Sequence, residues 1–160
     1  MDGIERKQES DDMYKLTLPA FEPQLRKQEG KPFIFDVIRK KFVQLTPEEW
    51  VRQHFIHFLA AAAYPLSLIS VERGHKYNGQ MAKRTDIIVY DRQLSPFLLV
   101  ECKAPYITPD QKLLDQALMY NHTVKAQYVA LTNGLHHFYY RADFAGGTYH
   151  RLETLPEFGV

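Results

Sequence analysis

The chain has 160 residues, of which 45% are hydrophobic and 24% charged, with a formal net charge of +1. That is the size of one domain with a real core, and it leaves no room beside that core for a motor module. No run approaches the length of a membrane span, the first residues lack the apolar core of a signal peptide, and the single Cys102 cannot form an internal disulfide, so a cytoplasmic protein without membrane association is expected.

Residues 1–32 read as a flexible or extended lead-in, polar and acidic at first and loop-like from Phe21 to Lys31, and residues 33–160 as a single domain. Phe33-Ile-Phe-Asp-Val-Ile-Arg39 is a short apolar segment suited to an edge strand, followed by the basic cluster Arg39-Lys-Lys41. Thr46 then opens a helix, with Thr46 as N-cap, Pro47 at the first helical position and Glu49 three residues after the cap. At 100° per residue Val51, Phe55, Phe58, Leu59 and Ala62 share its apolar face. Glu49 is placed to reach back to the cap, whereas Glu48 is aimed toward whatever the apolar face covers. A first-turn acid complementing the helix dipole also accounts for Glu48.

Tyr64-Pro65 ends the helix, and Leu66 to Val71 reads as a strand. A polar hairpin or loop follows to Gln80. The next strand, starting near Lys83, carries Asp86, and Asp91-Arg-Gln-Leu-Ser-Pro96 turns into another that carries Glu101 and Lys103. A second helix is expected from about Pro109 with Thr108 as cap, its inner face formed by Leu113, Ala117, Tyr120 and Val124. Gln127 to Thr132, His136 to Arg141 and Thr148 to Leu152 read as strands separated by Asn133-Gly134 and Gly146-Gly147 turns. The fold class is therefore α/β, with a central mixed β-sheet flanked by helices.

Chemistry concentrates in Asp86-Ile-Ile-Val-Tyr90 and Phe97-Leu-Leu-Val-Glu-Cys-Lys103. Charges at the ends of buried strands are costly unless paired or bound to a metal. Glu101 and Lys103, two apart, point to one face of a strand, and Cys102 points to the other as a small buried hydrophobe. On these residues alone two readings stand: carboxylates of Asp86 and Glu101 around one divalent cation with Lys103 beside them, or an ordinary ion pair at a strand end. Gln116 and Tyr120 are four apart and share a face of the second helix. His54 and His57, and His136 with His137, do not form closed zinc ligand sets.

Four ordered motifs carry a resemblance: Thr46-Pro-Glu-Glu-Trp-Val-Arg52, Arg84-Thr-Asp-Ile-Ile-Val-Tyr90, Leu99-Val-Glu-Cys-Lys-Ala-Pro105 with Gln116 and Tyr120, and Leu131-Thr-Asn-Gly134. Over roughly residues 33–155 the chain resembles the N-terminal nuclease domain of type I restriction endonuclease R proteins, within the PD-(D/E)xK nuclease superfamily, with Thr85 where the nominal motif has Pro. The resemblance implies a restriction-endonuclease-like core and a Mg²⁺-dependent DNA nuclease, with Mn²⁺ as a substitute metal. In it Asp86 and Glu101 bind the metal, Glu48 completes its environment, Lys103 assists the attacking water, and Gln116 with Tyr120 supports the site. Lys83 and Arg84 are candidates for holding the DNA backbone. The chain has no Gly-x-x-x-x-Gly-Lys-Ser/Thr loop, so a stand-alone nuclease-like domain is expected, whose partners are DNA, a separately encoded motor or other subunit, or a second copy. The alternative is a catalytically silent nucleic-acid-binding or assembly domain.

Overall fold

A computed structural model describes residues 13–71, 74–77, 80–84 and 86–159, with the side chains of 74–77 and 80–84 outside the description. Its centre is a six-stranded mixed sheet, in the order β11-β10-β9-β8-β7-β4. These strands are β4 (Ile69–Val71), β7 (Ile87–Tyr90), β8 (Pro96–Cys102), β9 (Tyr128–Thr132), β10 (His137–Asp143) and β11 (Thr148–Leu152). Only β8 and β9 pair in parallel, and the crossover between them is helix α2 (Gln111–Val124). Parallel neighbours need such a long connection, and α2 uses it to cover one face of the sheet. Helix α1 (Pro47–Ala61) covers the other.

Strand β8 shows how the sequence commits to this sandwich. Six of its seven residues are buried, the pattern of a strand covered on both faces. Leu98, Val100 and Cys102 join the core under α1, with Val51, Phe55, Ile56 and Leu59, whereas Leu99 joins Ala117, Ala126, Val129 and Ile88 under α2. Period-two alternation therefore sends Cys102 toward α1 and Glu101 toward α2. The β7–β8 hairpin is closed by Asp91, whose Oδ1 accepts from the backbone N–H groups of Gln93 and Ser95, each at 2.9 Å.

A second, three-stranded antiparallel sheet is built from β1 (Leu25–Gln28), β2 (Lys31–Asp36) and β3 (Lys41–Gln44), with β2 at its centre. Leu25, Ile34, Leu45 and Trp50 form its core against α1. Backbone pairing also joins β5 (Gly74–Tyr77) to β6 (Gln80–Arg84). Among the described residues no helix is long and apolar enough to cross a membrane.

Several local expectations are corrected. Residues 13–31 are not a loose lead-in: Leu18 packs in the main core, Trp50 Nε1 donates to the Tyr14 carbonyl at 2.8 Å, and Leu25–Gln28 is strand β1. Glu29 and Gly30, at φ 51° and 76°, make the two-residue turn with both residues left-handed that suits a tight hairpin, a geometry more often signalled by Asn-Gly. Phe33 lies on a central rather than an edge strand for the same reason. Leu66–Leu68 is a 3-10 turn before the short β4. Helix α1 stops at Ala61, with Ala63 left-handed at φ 66°. Asp110, not Thr108, caps α2, its Oδ1 accepting from Leu113 N at 2.9 Å. The strand expected to run from Lys83 through Asp86 is broken: Lys83 and Arg84 end β6, and Asp86 lies in a bend before β7.

Candidate active site

The first turns of α1 place the site. Thr46 has extended backbone and its Oγ1 accepts from Glu49 N at 3.1 Å, so the cap read from the sequence is present. The Glu49 side chain does something other than complete a capping box. It is buried, pairs with Arg52 and Arg39, and accepts from Gln53 Nε2 at 3.2 Å. Two guanidinium groups outcompete one backbone N–H for a carboxylate that water cannot reach.

Arg52, one turn further along α1, is the hub. Its Nη2 donates to Asp86 Oδ1 at 2.8 Å and to Glu48 Oε1 at 3.2 Å, while Nη1 pairs with Glu49. The second oxygen of Asp86, Oδ2, accepts from the backbone N–H of Cys102 at 2.8 Å. Asp86 is thereby tied across the sheet to the residue between Glu101 and Lys103. A chain of alternating charge continues away from the site, since Arg39 bridges Glu49 and the fully buried Asp36, whose Oδ2 is 2.5 Å from Arg39 Nε. Burial pushes the Asp36 carboxyl up, but hydrogen bonds from Arg39 and Ile38 N and the Arg39 charge outweigh it and hold the group below its ordinary value.

Glu48 is half-exposed at the mouth of this network. Its carboxyl is raised, first by desolvation and then by the negative charge of Asp86, while Arg52 and Lys103 pull the other way. Glu48 therefore feels the charges of both Asp86 and Lys103. Glu101 is 3% exposed and faces α2, where its charge, after desolvation, helps push the Tyr120 hydroxyl up to about 12. Burial raises the Cys102 thiol far above its ordinary value, consistent with an inert core residue.

The structure thus draws Asp86, Glu48, Lys103 and Glu101 to one end of the sheet, with Tyr120 beside Glu101. Gln116 lies exposed on α2, one turn before Tyr120. The side chains of Lys83 and Arg84 lie outside the described residues. Among the described residues no group of three or more His, Cys, Asp or Glu side chains stands close enough to hold a metal by itself. His54 Nδ1 is 2.8 Å from the Trp50 carbonyl, and His137 lies between the hydroxyls of Thr17 and Thr132 at 2.8 and 2.7 Å, so both are structural.

Sequence reasoning missed the roles of Arg52 and Asn133, although both stand inside motifs it had singled out. Asn133 Nδ2 donates to the Ile107 carbonyl at 2.9 Å, and its Oδ1 accepts from Leu135 N and His136 N at 3.0 and 2.8 Å. Together with the Lys103 N to Thr132 O bond of 2.8 Å, it fixes the segment that leaves β8 immediately after Lys103.

With this geometry in place, residues 47–156 match the family described as Type I restriction enzyme R protein N terminus (HSDR_N). The chain belongs to that family. Among solved structures it is similar to a fragment described as "a putative HsdR subunit of a type I restriction enzyme from Vibrio vulnificus YJ016", at 21% identity and a TM-score of 0.50, covering 70% of this chain. The likeness at that identity is one of fold, and the chain spans only 24% of that structure's length. No curated protein matches the sequence.

Proposed function

We propose that this R-protein N-terminal domain hydrolyses DNA phosphodiester bonds with a divalent metal, Mg²⁺ or Mn²⁺ in its place. The observation that carries the reading is that Arg52 joins Glu48 to Asp86, while Asp86 Oδ2 accepts from the N–H of Cys102, the residue between the buried Glu101 and Lys103. The donor set is all carboxylate oxygen, which suits Mg²⁺, an ion commonly held by one or two carboxylates with phosphate oxygens and water supplying the rest. Asp86 and Glu48 already share one cation, the Arg52 guanidinium, so a positive charge is favoured where they meet. Asp86 and Glu101 would hold the metal, with Glu48 completing its surroundings. When bound, the ion would polarise the phosphoryl oxygen and lower the pKa of a water.

The chain's own residues supply the remainder. Arg52 and the Cys102 N–H orient the Asp86 carboxylate before any ligand arrives, which lowers the cost of organising the site. Lys103 offsets the charge that builds on the phosphorus oxygens and positions the attacking water. Tyr120 lines the floor beneath Glu101 from α2, and Gln116 is free to meet a substrate at the rim. Lys83 and Arg84 are proposed to hold the DNA backbone, and other subunits of a type I restriction enzyme are proposed as protein partners.

A second reading, a binding or assembly domain without turnover, is favoured by one observation: Arg52 already compensates Asp86. A Mg²⁺- or Mn²⁺-dependent nuclease assay on linear, circular and single-stranded DNA, run beside Glu101→Ala and Lys103→Ala, separates the two. Cleavage by wild type alone supports the nuclease. Equal cleavage by all three proteins, or none with any substrate, favours the silent domain.

A further inference from the structure

The outward face of the small sheet carries chemistry that the nuclease site does not use. Alternation along β1, β2 and β3 turns Leu25, Ile34 and Val43 toward the core and puts Phe33, Phe35 and Phe42 on the opposite face, where all three are half-buried. The register sets Phe33 between Arg26 and Gln44 in one cross-strand row, and Phe35 opposite Phe42 in the next. The Phe35 and Phe42 rings meet edge to face at 5.4 Å, and the Arg26 guanidinium lies over the Phe42 ring at 3.9 Å. Charge is equally uneven. The segment Leu25–Gln44 holds six of the chain's 20 Lys and Arg but two of its 19 Asp and Glu, and one of those two, Asp36, is buried against Arg39.

A cavity of about 580 Å³ joins this face to the candidate active site. Its lining includes Phe33, Lys41, Phe42 and Gln44 from the small sheet and Glu48 and Arg52 from α1.

We propose that this face is a docking platform for single-stranded nucleic acid, which leads one strand along the cavity toward Glu48 and Asp86. Flat aromatic faces interleaved with Arg and Lys on an antiparallel sheet recognise unpaired bases, because every base has a π-face and every linkage a phosphate. A duplex hides those faces, so charge complementarity alone would not favour it here. Phe33 offers a ring to a base, the Arg26–Phe42 stack offers a second planar surface, Lys31 on the same face meets a phosphate, and Lys41, on the other face of β3, meets one where it lines the cavity. The platform deepens the nuclease reading and rests on it for where the strand leads, though not for binding itself.

The test is fluorescence anisotropy of the full chain in EDTA with labelled dT20, rU20 and a 20-base-pair duplex, repeated across salt concentrations. Phe33→Leu and Phe42→Leu keep apolar cover and remove the ring, and Arg26→Gln and Lys31→Gln change exposed positions with little risk to folding, which circular dichroism monitors. The expected result is tighter binding of a single strand than of the duplex, with either sugar counting in favour. Each Phe→Leu change should weaken that binding about tenfold, and each charge removal should reduce the salt slope by roughly 0.7. Equal affinity for duplex and single strands, or single-strand binding indifferent to all four substitutions, overturns the platform. Because EDTA prevents hydrolysis, the outcomes separate cleanly. Platform binding without metal-dependent cleavage would refute the nuclease alone, and cleavage with no effect of the four substitutions would refute the platform alone.

Discussion

Arg52 Nη2 stands 2.8 Å from Asp86 Oδ1, joining the first helix to the bend before β7. Both side chains are almost fully enclosed, and the same guanidinium serves Glu49 and Glu48. Enclosed ion pairs add little net stability over an apolar replacement of both partners, but removing one partner strands the other. Arg52→Met should therefore cost about 3–5 kcal/mol in urea unfolding, because Asp86 loses its cation and Glu49 is left with Arg39 alone. A loss below about 1 kcal/mol would show that Arg39 and backbone donors suffice without it.

The buried carboxylate on β8 should behave in the opposite way. Glu101 is a buried carboxyl on the face of β8 that packs under α2, a placement that serves chemistry better than packing. Glu101→Gln should melt at or above the wild-type temperature and lose metal-dependent cleavage by roughly a hundredfold or more, the scale of removing one charge-stabilising group. Melting and cleavage are to be measured on the same preparation. A parallel loss of stability and activity would instead assign Glu101 a structural role.

What the sequence disclosed, and what it hid, divides along the range of the interactions. The opposite facing of Glu101 and Cys102 was readable because period-two alternation is a local rule, and the Thr46 cap because a cap bonds within three residues of itself. Asp86 was singled out by its motif, yet its partner Arg52 is 34 residues away in the chain and Cys102 N is 16 away. No local pattern distinguishes a Glu49 that caps from a Glu49 that gathers two arginines, since Arg39 reaches it only once β2 and β3 have folded against α1. The hairpin at Glu29-Gly30 was missed for a smaller reason: Glu tolerates the left-handed turn without advertising it as Asn does.

Histidine burial sets a pH dependence. Burial lowers His54, His57 and His137 below their ordinary value of 6.5; the Trp50 carbonyl partly offsets this at His54, and Asp36 at His57. A base depressed in the native state favours the neutral form, so its contribution is whole above pH 6.5 and is lost as pH falls toward the lowered values. Stability should decline from pH 6.5 downward, before the carboxylates titrate. His54→Gln, which can still donate to the Trp50 carbonyl, should flatten that decline in urea titrations at closely spaced pH values. An unchanged slope would move the effect to the other two rings.

Gly134 closes the loop that Asn133 anchors, and it is a position where substitution has two separate costs. Its φ of +85° is left-handed, and a Cβ built there would meet Leu16 Cδ2 at 2.7 Å and Val51 Cγ2 at 3.1 Å. Backbone strain of about 1 kcal/mol is thus joined by an overlap with Leu16, which packs against the main core, and a tight contact with Val51 within it. Thr17 lies in the same contact, its N–H donating to the Gly134 carbonyl at 2.9 Å. Gly134→Ala should destabilise the chain by about 2–4 kcal/mol. Because Asn133 and the Lys103 N to Thr132 O bond share this loop, the variant should also lower cleavage more than a stability loss of that size accounts for when assayed well below its melting temperature. Activity equal to wild type under those conditions would show that Lys103 keeps its place without the loop, and would confine Gly134 to packing Leu16 against the fold.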